Sequence, residues 1–377
     1  MTRIVVLGAG MVGRAIIDDL AAQYEVLAMD RDPRALEKCR ARQVETQAAD
    51  LSDPDTITEA TAAADLVVGA VPGFMGRQTL KTVLQVGKPV VDISFFLGDT
   101  AELDQLAKDR GVVAVMDAGV APGMSNFILG HHAAAMDVHG FRCVVGGLPR
   151  VRTWPWQYKA PFSPIDVLEE YTRPARFRER GQEVVRPALS EPERMDFPGI
   201  GSLEAFNTDG LRTLLDSYPD IPNMVEKTLR YHGHRELMEI LRESGFLSTE
   251  PVKVNDSNII PLDLTARLLF DQWELKDGEE EFTVMRIDVE GEEQGTPIHY
   301  RYDLLDRTDP VGGWSSMSRT TGYACTAMVD LVLAGKIKTP GLHPLEDIGA
   351  VDGSFPRVMD YLRDRNVVYE MTRLEGE

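Results

Sequence analysis

Short apolar runs alternate with amphipathic segments along the first part of the chain. The runs have the length and continuity of strands that are buried on both faces. The segments between them repeat their apolar residues at helical spacing. Six runs follow this pattern, at residues 4–7, 26–29, 47–50, 65–70, 89–94 and 112–116. Strands joined by helical crossovers predict a parallel, doubly wound sheet and therefore an α/β fold.

The pattern changes after residue 117. Residues 281–289 and 297–305 alternate apolar and polar positions, which predicts an antiparallel hairpin with one solvated face and a turn at 291–295. Residues 146–149, GGLP, follow a predicted strand and are expected to form a tight loop. We expect a second, α+β domain with an open antiparallel sheet, and a C-terminal segment that partly returns to the first domain. The predicted domains are 1–118, 119–310 and 311–377.

The first apolar run leads directly into Gly8-Ala9-Gly10-Met11-Val12-Gly13, a G-x-G-x-x-G motif between a predicted strand and a predicted helix. In this motif Gly8 permits the tight turn, Gly10 lets backbone N–H groups approach a pyrophosphate, and Gly13 lets the helix pack closely on the strand. The phosphates then lie at the N-terminus of the helix. The motif predicts a dinucleotide-binding domain of the Rossmann type.

The residue that ends the second strand indicates which dinucleotide is bound. Asp30 can accept hydrogen bonds from ribose hydroxyls, and its charge would repel a 2′-phosphate. This favours NAD over NADP, although Arg31 beside it could soften the repulsion. Ligands of such sheets bind at the carboxyl ends of the strands. Further cofactor contacts are therefore expected at Asp50, Leu51, Val71, Pro72 and Ser94. Asp50 is equally compatible with a helix-capping role.

Composition narrows the partners and the compartment. The formal net charge is −20, whereas nucleic acids and anionic membranes bind basic surfaces, so neither is an expected partner. The three cysteines are scattered, which is typical of reduced thiols, and no Cys-x-x-Cys or His-x-x-x-His spacing predicts a metal site. Because the first strand begins at the N-terminus and leaves no room for a signal peptide, we expect a cytoplasmic protein.

Seven motifs together resemble the saccharopine dehydrogenase family, and most closely its lysine 6-dehydrogenase branch. The motifs are GAGMVGRAI, DAGVAPGMSN, GGLP, YKAPFSPIDVLEEYTRPA, FNTDGLRTLL, TLRYHGH and AGKIKTPGL. The saccharopine reductases of the family typically carry a cysteine where Val145 stands, and they prefer NADP with a Ser-Arg type of pattern in place of Asp30. Both differences favour the lysine branch.

The resemblance implies an enzyme that uses NAD to oxidise the ε-amino carbon of L-lysine. The products would be 2-aminoadipate 6-semialdehyde and ammonia, and a homodimer is expected. Two alternatives stay open. One is a saccharopine dehydrogenase or a carboxyspermidine-type dehydrogenase, which acts on a secondary amine. The other is a non-catalytic NAD sensor, which the Rossmann domain alone would permit.

Lysine oxidation requires an anionic group at the amine and a base for its proton. Asp117, at the end of the sixth run, is the first candidate, because a carboxylate there would stabilise the developing iminium. Asp92, at the end of the fifth, is the second. His232 and His234 could shuttle protons near neutral pH. Lys159 could act as a base only if its ammonium were desolvated.

The substrate carboxylate requires a cation. Arg230 of TLRYHGH ranks first and Arg212 second, since a guanidinium can bind a carboxylate through two parallel hydrogen bonds. Either arginine could instead serve a structural ion pair. The resemblance implies carboxylate contacts in the regions FNTDG and TLRY, so Thr228, Asn207 and Asp209 are expected as hydrogen-bonding neighbours. Gly147 of GGLP is a further substrate-binding candidate.

Overall fold

The structure is a computed structural model that describes residues 1–96, 98–160, 164–276 and 278–375. Contacts divide the chain into two compact units. Unit 1 comprises Met1–Ala135 and Ser318–Val368, and unit 2 comprises Met136–Met317 and Tyr369–Glu377. Each unit is therefore built from two separate stretches of the chain.

Residues 1–135 alternate strands and helices, as the apolar runs predicted. The elements are β1 (Arg3–Leu7), α1 (Met11–Ala21), β2 (Glu25–Asp30), α2 (Pro33–Arg40), β3 (Glu45–Ala48), α3 (Pro54–Thr61), β4 (Leu66–Gly69), α4 (Gly73–Val86), β5 (Val90–Asp92), α5 (Ala101–Arg110), β6 (Val113–Val115) and α6 (Met124–Ala133).

The central stretch is dominated by strands. Its elements are β7 (Asp137–Pro149), α7 (Pro164–Thr172), β8 (Ala175–Glu179), β9 (Gln182–Arg186), β10 (Glu193–Phe197), β11 (Gly201–Asn207), α8 (Leu214–Ser217), β12 (Asn223–Arg230), α9 (His234–Glu243), β13 (Val252–Val254), β14 (Ser257–Ile259), α10 (Pro261–Trp273), β15 (Glu281–Glu293) and β16 (Thr296–Arg307). The remaining elements are α11 (Ser316–Leu333), β17 (Gly341–His343), α12 (Leu345–Gly349), α13 (Ser354–Arg363) and β18 (Tyr369–Glu375).

Unit 1 contains a seven-stranded sheet in the order β17-β6-β5-β4-β1-β2-β3, in which every pair is parallel. The six predicted strands and the doubly wound Rossmann arrangement are confirmed. The strand order reverses between β1 and β4, and ligands of such sheets bind in the crevice at this reversal. The seventh strand, β17, comes from the C-terminal part of the chain.

Two of the crossover helices begin at an aspartate that is followed by a proline. The side chain of Asp32 accepts the N–H of Arg34 at the start of α2, and that of Asp53 accepts the N–H of Asp55 at the start of α3. A proline occupies the first turn of each helix, where its missing N–H costs nothing. Short polar side chains thus set where these helices start.

The contact division of unit 1 differs from the predicted domain boundary at residue 118, which stays a prediction. The contact division falls after Ala135 and not after residue 118, because α6 packs on α12 within unit 1. Two glycines allow this approach. A side chain at Gly130 would overlap the backbone of Glu346, and one at Gly349 would overlap the backbone of Phe127. Such a long-range helix contact is invisible in local periodicity.

Unit 2 contains a nine-stranded sheet with the main order β10-β11-β12-β7-β15-β16-β18. β8 pairs with β12 and β9 pairs with β8, while β13 and β14 form a separate hairpin. The pairing of β12 with β7 is parallel and the others are antiparallel, so the sheet is mixed. The predicted hairpin is confirmed as β15 and β16.

Two predicted turns in unit 2 are wrong in detail. Residues 146–149 do not form a loop, since they continue β7 and pair with Glu281–Val284 of β15. The glycine at 146 serves close packing, because a side chain there would overlap Leu229. The hairpin turn is also shorter than 291–295. Glu293 pairs with Thr296, which leaves Gln294 and Gly295, both with positive φ, as a two-residue turn.

The core of unit 2 lies where α7, α9 and α10 pack on the sheet. Its largest buried members include Trp273, Tyr171 and Phe206. Within the described ranges, no helix is both long and apolar enough to cross a membrane.

Candidate functional site

The glycine loop between β1 and α1 has the geometry that its sequence predicted. Gly8 has a φ of 111°, and a side chain there would overlap the carbonyl of Ala70. A side chain at Gly13 would overlap the carbonyl of Gly8, so this glycine permits the close helix–strand contact. A Cβ at Gly10, by contrast, would have no atom within 4 Å. Open space at Gly10 beside the first turn of α1, at Met11 and Val12, suits the approach of a phosphate.

Asp30 lies at the end of β2 and is half-buried. Its Oδ2 accepts the N–H of Ala9 at 2.7 Å, and its Oδ1 accepts the N–H of Asp32 at 2.8 Å. Each oxygen of a carboxylate can accept a second hydrogen bond. Asp30 can therefore receive ribose hydroxyls while it holds the glycine loop. Arg31 beside it is exposed.

The other predicted cofactor positions lie at the same edge of the sheet. Val71 is buried after β4, and Pro72 is exposed and directly precedes α4. Leu51 is buried. Asp50 is exposed, and its Oδ1 accepts the N–H of Ser52 at 3.0 Å and the Ser52 hydroxyl at 2.7 Å. These hydrogen bonds lower the pKa of Asp50. They show that Asp50 stabilises the turn before α3, whereas its contact with adenine stays a prediction.

Asp92 and Ser94 form a buried pair at the end of β5. Oδ1 of Asp92 accepts both the N–H of Ser94, at 2.7 Å, and the Ser94 hydroxyl. Oδ2 has no hydrogen-bond partner within the described ranges and lies against Gly69, where a side chain would overlap it. Burial raises the pKa of Asp92 to about 7, against the opposing effect of Ser94, and the charge of Asp117 adds to the rise.

Asp117, the first catalytic candidate, follows β6 and is buried. Its φ is 54°, in the left-handed region that non-glycine residues seldom adopt. The chain around it is held by two backbone hydrogen bonds, from Gly119 N–H to the carbonyl of Asp117 at 2.7 Å and from Ala118 N–H to that of Asp92 at 3.0 Å. Other non-glycine residues, such as Gln294 in the hairpin turn, share this conformation, so it does not by itself mark a functional position, and Asp117 stays a candidate.

In unit 2 a buried polar cluster surrounds Arg230, at the end of β12. Its Nε donates to the Tyr171 hydroxyl at 2.8 Å, its Nη1 to the carbonyl of Leu229 at 3.0 Å, and its Nη2 to Glu170 at 3.2 Å. The guanidinium also lies over the ring of Tyr158, with 4.5 Å between Cζ and the ring centroid. A guanidinium has five N–H groups, so two have no partner among the described residues.

The contacts of Tyr171 define the protonation of His234. Because Arg230 can only donate, the Tyr171 oxygen accepts from it and donates its own proton to Nε2 of His234, 3.0 Å away. Nδ1 of His234 then carries the hydrogen that is donated to the carbonyl of Trp156 at 2.8 Å. Burial lowers the pKa of His234 to about 3. This neutral, fully engaged imidazole argues against the proton-shuttle role expected for His234.

Other predicted substrate-binding residues lie at the end of β11, in the loop that follows it, and on β12. The hydroxyls of Thr228 and Thr208 are 2.8 Å apart, and Thr208 donates to Glu226 at 2.9 Å. Asn207 donates to the Ser190 hydroxyl at 3.1 Å, and Asp209 accepts from Arg176 at 3.3 Å. Glu226 is buried, and this burial raises its pKa to about 8, so its carboxyl is largely protonated near neutral pH.

The remaining candidates have contacts outside this cluster. Nε2 of His232 lies 3.0 Å from the hydroxyl of Ser202. Arg212 lies half-buried in the loop after β11 with a φ of 49°. A side chain at position 147 would overlap Met317, so close packing explains why this residue is a glycine. Lys159 is bound by both oxygens of Glu279 at 2.8 Å, and this ion pair stabilises its ammonium and argues against a base.

The structure adds residues that the sequence did not single out, namely Tyr158, Glu170 and Tyr171 around Arg230. All three lie in the motif YKAPFSPIDVLEEYTRPA, of which residues 161–163 are outside the described ranges. One signal was available. Val167, Leu168 and Tyr171 have helical spacing and are buried, which places a tyrosine on the core face of α7.

Ionisable clusters elsewhere in the structure do not indicate a metal. No group of three or more histidine, cysteine, aspartate or glutamate side chains among the described residues is arranged to hold an ion. The three cysteines are buried free thiols.

Two family models match the chain almost end to end. The model described as the saccharopine dehydrogenase NADP binding domain matches residues 4–115, and that described as the saccharopine dehydrogenase C-terminal domain matches residues 119–366. The chain belongs to the saccharopine dehydrogenase family. The family expected from the seven motifs is thereby confirmed, and with it a dinucleotide-binding domain in unit 1.

Curated relatives of this family chain are amino-acid dehydrogenases. This chain is 24% identical over 416 residues to the saccharopine dehydrogenase [NADP(+), L-glutamate-forming] of Pyricularia oryzae. The alignment covers 90% of this chain and 92% of the relative. This chain is 23% identical over 413 residues to the protein of the same name from Saccharomyces cerevisiae, with coverage of 90% and 92%.

A solved structure shares the fold of this chain. The apo saccharopine dehydrogenase (L-Glu forming) from Saccharomyces cerevisiae matches with a TM-score of 0.80 at 21% identity. The match covers 99% of this chain and 100% of that one. The predicted architecture, a Rossmann sheet followed by a second domain with its own sheet, is confirmed.

Proposed function

We propose that this protein oxidises the ε-amino carbon of L-lysine with NAD, giving 2-aminoadipate 6-semialdehyde and ammonia. Hydride passes from the amine-bearing carbon to the nicotinamide, and water then hydrolyses the resulting imine. The family supports an amino-acid dehydrogenase, while lysine as substrate and NAD as cofactor are the finer parts of the proposal.

The choice of NAD rests on Asp30. Its carboxylate lies at the ribose end expected for the dinucleotide and carries a charge that a 2′-phosphate would meet at close range. The relatives named above are NADP enzymes. The proposed preference for NAD, unlike that of these relatives, therefore depends on one residue at the end of β2, Asp30. Arg31 beside it is exposed.

The choice of lysine rests on the surroundings of Arg230, which is the observation that carries the proposal. Two of its N–H groups have no partner among the described residues, and we assign them to a carboxylate, which a guanidinium binds through parallel hydrogen bonds. The neighbouring cations Arg176 and Lys227 are already bound by Asp209 and Glu193, at 3.3 and 3.0 Å. The two remaining N–H groups of Arg230 match one carboxylate, which suits the single carboxylate of lysine.

Within this proposal Asp117 stabilises the iminium that forms as hydride leaves, because positive charge then develops on carbon and nitrogen. Asp92, whose side chain is buried against Gly69 and Ser94, stays the second candidate for this role. His232 stays a candidate for proton transfer during imine hydrolysis. A homodimer, expected from the family resemblance, and a cytoplasmic location, expected from the sequence, complete the proposal.

The experiment that tests the proposal is a substrate and cofactor matrix. Purified protein is given lysine or saccharopine, each with NAD or NADP, and reduced nicotinamide is followed by its absorbance. We expect reduction of NAD with lysine alone. Activity only with saccharopine, or only with NADP, would replace the proposal by the saccharopine dehydrogenase alternative, which the names of the relatives favour.

A further inference from the structure

Arg230 is paired with a carboxylate, Glu170, that is more exposed than Arg230 itself. Oε2 of Glu170 lies 3.2 Å from Nη2 of Arg230, yet the Arg230 side chain is only 5% exposed while that of Glu170 is 38% exposed. The pair therefore places a buried cation, two of whose N–H groups have no partner within the described ranges, next to a partly exposed anion that can accept a second donor. A zwitterion carries the complementary charges at the same spacing of a few ångströms.

We propose that Arg230 and Glu170 together recognise the head group of an α-amino acid, with the α-carboxylate on Arg230 and the α-ammonium on Glu170. This rests on the proposed function, and it adds that the substrate must be zwitterionic at the end remote from the reacting amine. The carboxylate accepts the two remaining N–H groups of Arg230, and the ammonium donates to Glu170. Charge-assisted hydrogen bonds of this kind are the stronger ones in proteins.

The guanidinium is held in one orientation for this role. Tyr171 accepts from Nε, the carbonyl of Leu229 accepts from Nη1, and the ring of Tyr158 covers one face. Tyr171 is itself fixed by His234, whose other nitrogen donates to the carbonyl of Trp156. Because these partners are buried and hold the guanidinium, binding of the carboxylate costs little further side-chain entropy.

Helix α7 supplies an internal comparison. Glu169 precedes Glu170 but is bound by Arg173, at 2.8 Å, one turn further along the same helix. Successive helical residues point about 100° apart, since the helix has about 3.6 residues per turn. Glu169→Gln and Glu170→Gln are thus matched changes, of which only the second removes a charge that contacts Arg230.

The test measures binding by calorimetry on the full-length protein with NADH present, so that no ligand is oxidised. The probes are lysine, 6-aminohexanoate, which lacks the α-ammonium, and cadaverine, which lacks the α-carboxylate and keeps both ammonium groups. We expect the wild type to bind lysine about tenfold or more tightly than 6-aminohexanoate. Glu170→Gln should weaken lysine by about the same factor and leave 6-aminohexanoate within about twofold, because glutamine still accepts from Arg230. Glu169→Gln should change neither.

Equal binding of lysine and 6-aminohexanoate by the wild type overturns the proposal, as does a Glu170→Gln variant that weakens both ligands alike or neither. The proposed function fails separately. If the wild type discriminates between the ligands through Glu170 but forms no NADH from lysine and NAD, the head-group site stands and lysine oxidation falls. Thermal unfolding of each variant checks that the comparison is made between folded proteins.

Discussion

The backbone N–H of Ala9 donates to Oδ2 of Asp30 at 2.7 Å, so the residue expected to bind the cofactor ribose also holds the glycine loop. Strand β2 thereby sets the position of the turn after β1. We expect Asp30→Ala to raise the dissociation constant for NAD by about tenfold or more and to lower stability by about 1–2 kcal/mol, the usual effect of losing hydrogen bonds to a charged group.

Calorimetry with NAD and thermal unfolding measure the two effects of Asp30→Ala. Asp53→Ala is the control, because it also removes a carboxylate that accepts backbone N–H groups, at the start of α3. The control should lose stability and keep NAD affinity. Unchanged NAD affinity in Asp30→Ala would remove Asp30 from the cofactor site.

Gly10 and Gly13 should respond differently to the same substitution. At Gly10 a Cβ would meet no atom within 4 Å, so Gly10→Ala should fold with normal stability and bind NAD at least about tenfold more weakly, through the methyl group that meets the pyrophosphate. At Gly13 the methyl would overlap the carbonyl of Gly8, and overpacking of this kind costs about 1–3 kcal/mol or more. Unfolding curves and NAD titrations separate the two, and equal destabilisation by both would contradict the expectation.

Asp117→Asn keeps the size of the side chain and removes its charge. If the carboxylate stabilises the iminium, turnover of lysine should fall by on the order of a hundredfold, while the dissociation constant for NAD stays unchanged. Steady-state kinetics and NAD titration provide the two readouts. A rate close to that of the wild type would exclude Asp117 from the mechanism.

Glu226 should make stability fall as pH rises. The folded protein keeps the proton of this carboxyl up to about pH 8, whereas the unfolded chain releases it near the ordinary value of 4.5. Between these pH values the folded state binds more protons than the unfolded state, so the free energy of unfolding falls by up to about 1.4 kcal/mol for each pH unit. Above about pH 8 the stability that the protonated carboxyl contributes is lost completely.

Glu226→Gln removes the titration and keeps an acceptor for Thr208. The free energy of unfolding is measured by urea denaturation at pH values from about 5 to 8. The value for the variant minus that for the wild type should increase by up to a few kcal/mol as pH rises. Glu250→Gln, at an exposed position, should run parallel to the wild type. A constant difference between Glu226→Gln and the wild type would show that Glu226 does not titrate in this window.

Local patterns were sufficient for the dinucleotide domain. The apolar runs predicted six strands, Gly8, Gly10 and Gly13 occupy the three environments that their motif requires, and Asp32 and Asp53 start helices where a capping residue precedes a proline. Each of these features depends on neighbours within a few residues in the sequence, or on backbone geometry that only glycine allows.

Long-range packing explains the predictions that failed. The GGLP residues looked like a loop because glycine and proline favour turns. In the sheet, Gly146 and Gly147 instead leave room for Leu229 and Met317. His234 looked like a proton shuttle until burial beside Tyr171 and Trp156 made it neutral.

The sequence by itself determined the Rossmann domain, the family, and Arg230 as a candidate, because periodicity, glycine spacing and motifs are written in consecutive residues. Only the tertiary structure decided what surrounds that arginine. Glu170 and Tyr171 are separated from it by 60 and 59 residues in the chain, and they come within hydrogen-bond distance because α7 packs on the sheet. The charge and protonation of such groups depend on burial and on partners distant in the chain, which no local pattern encodes.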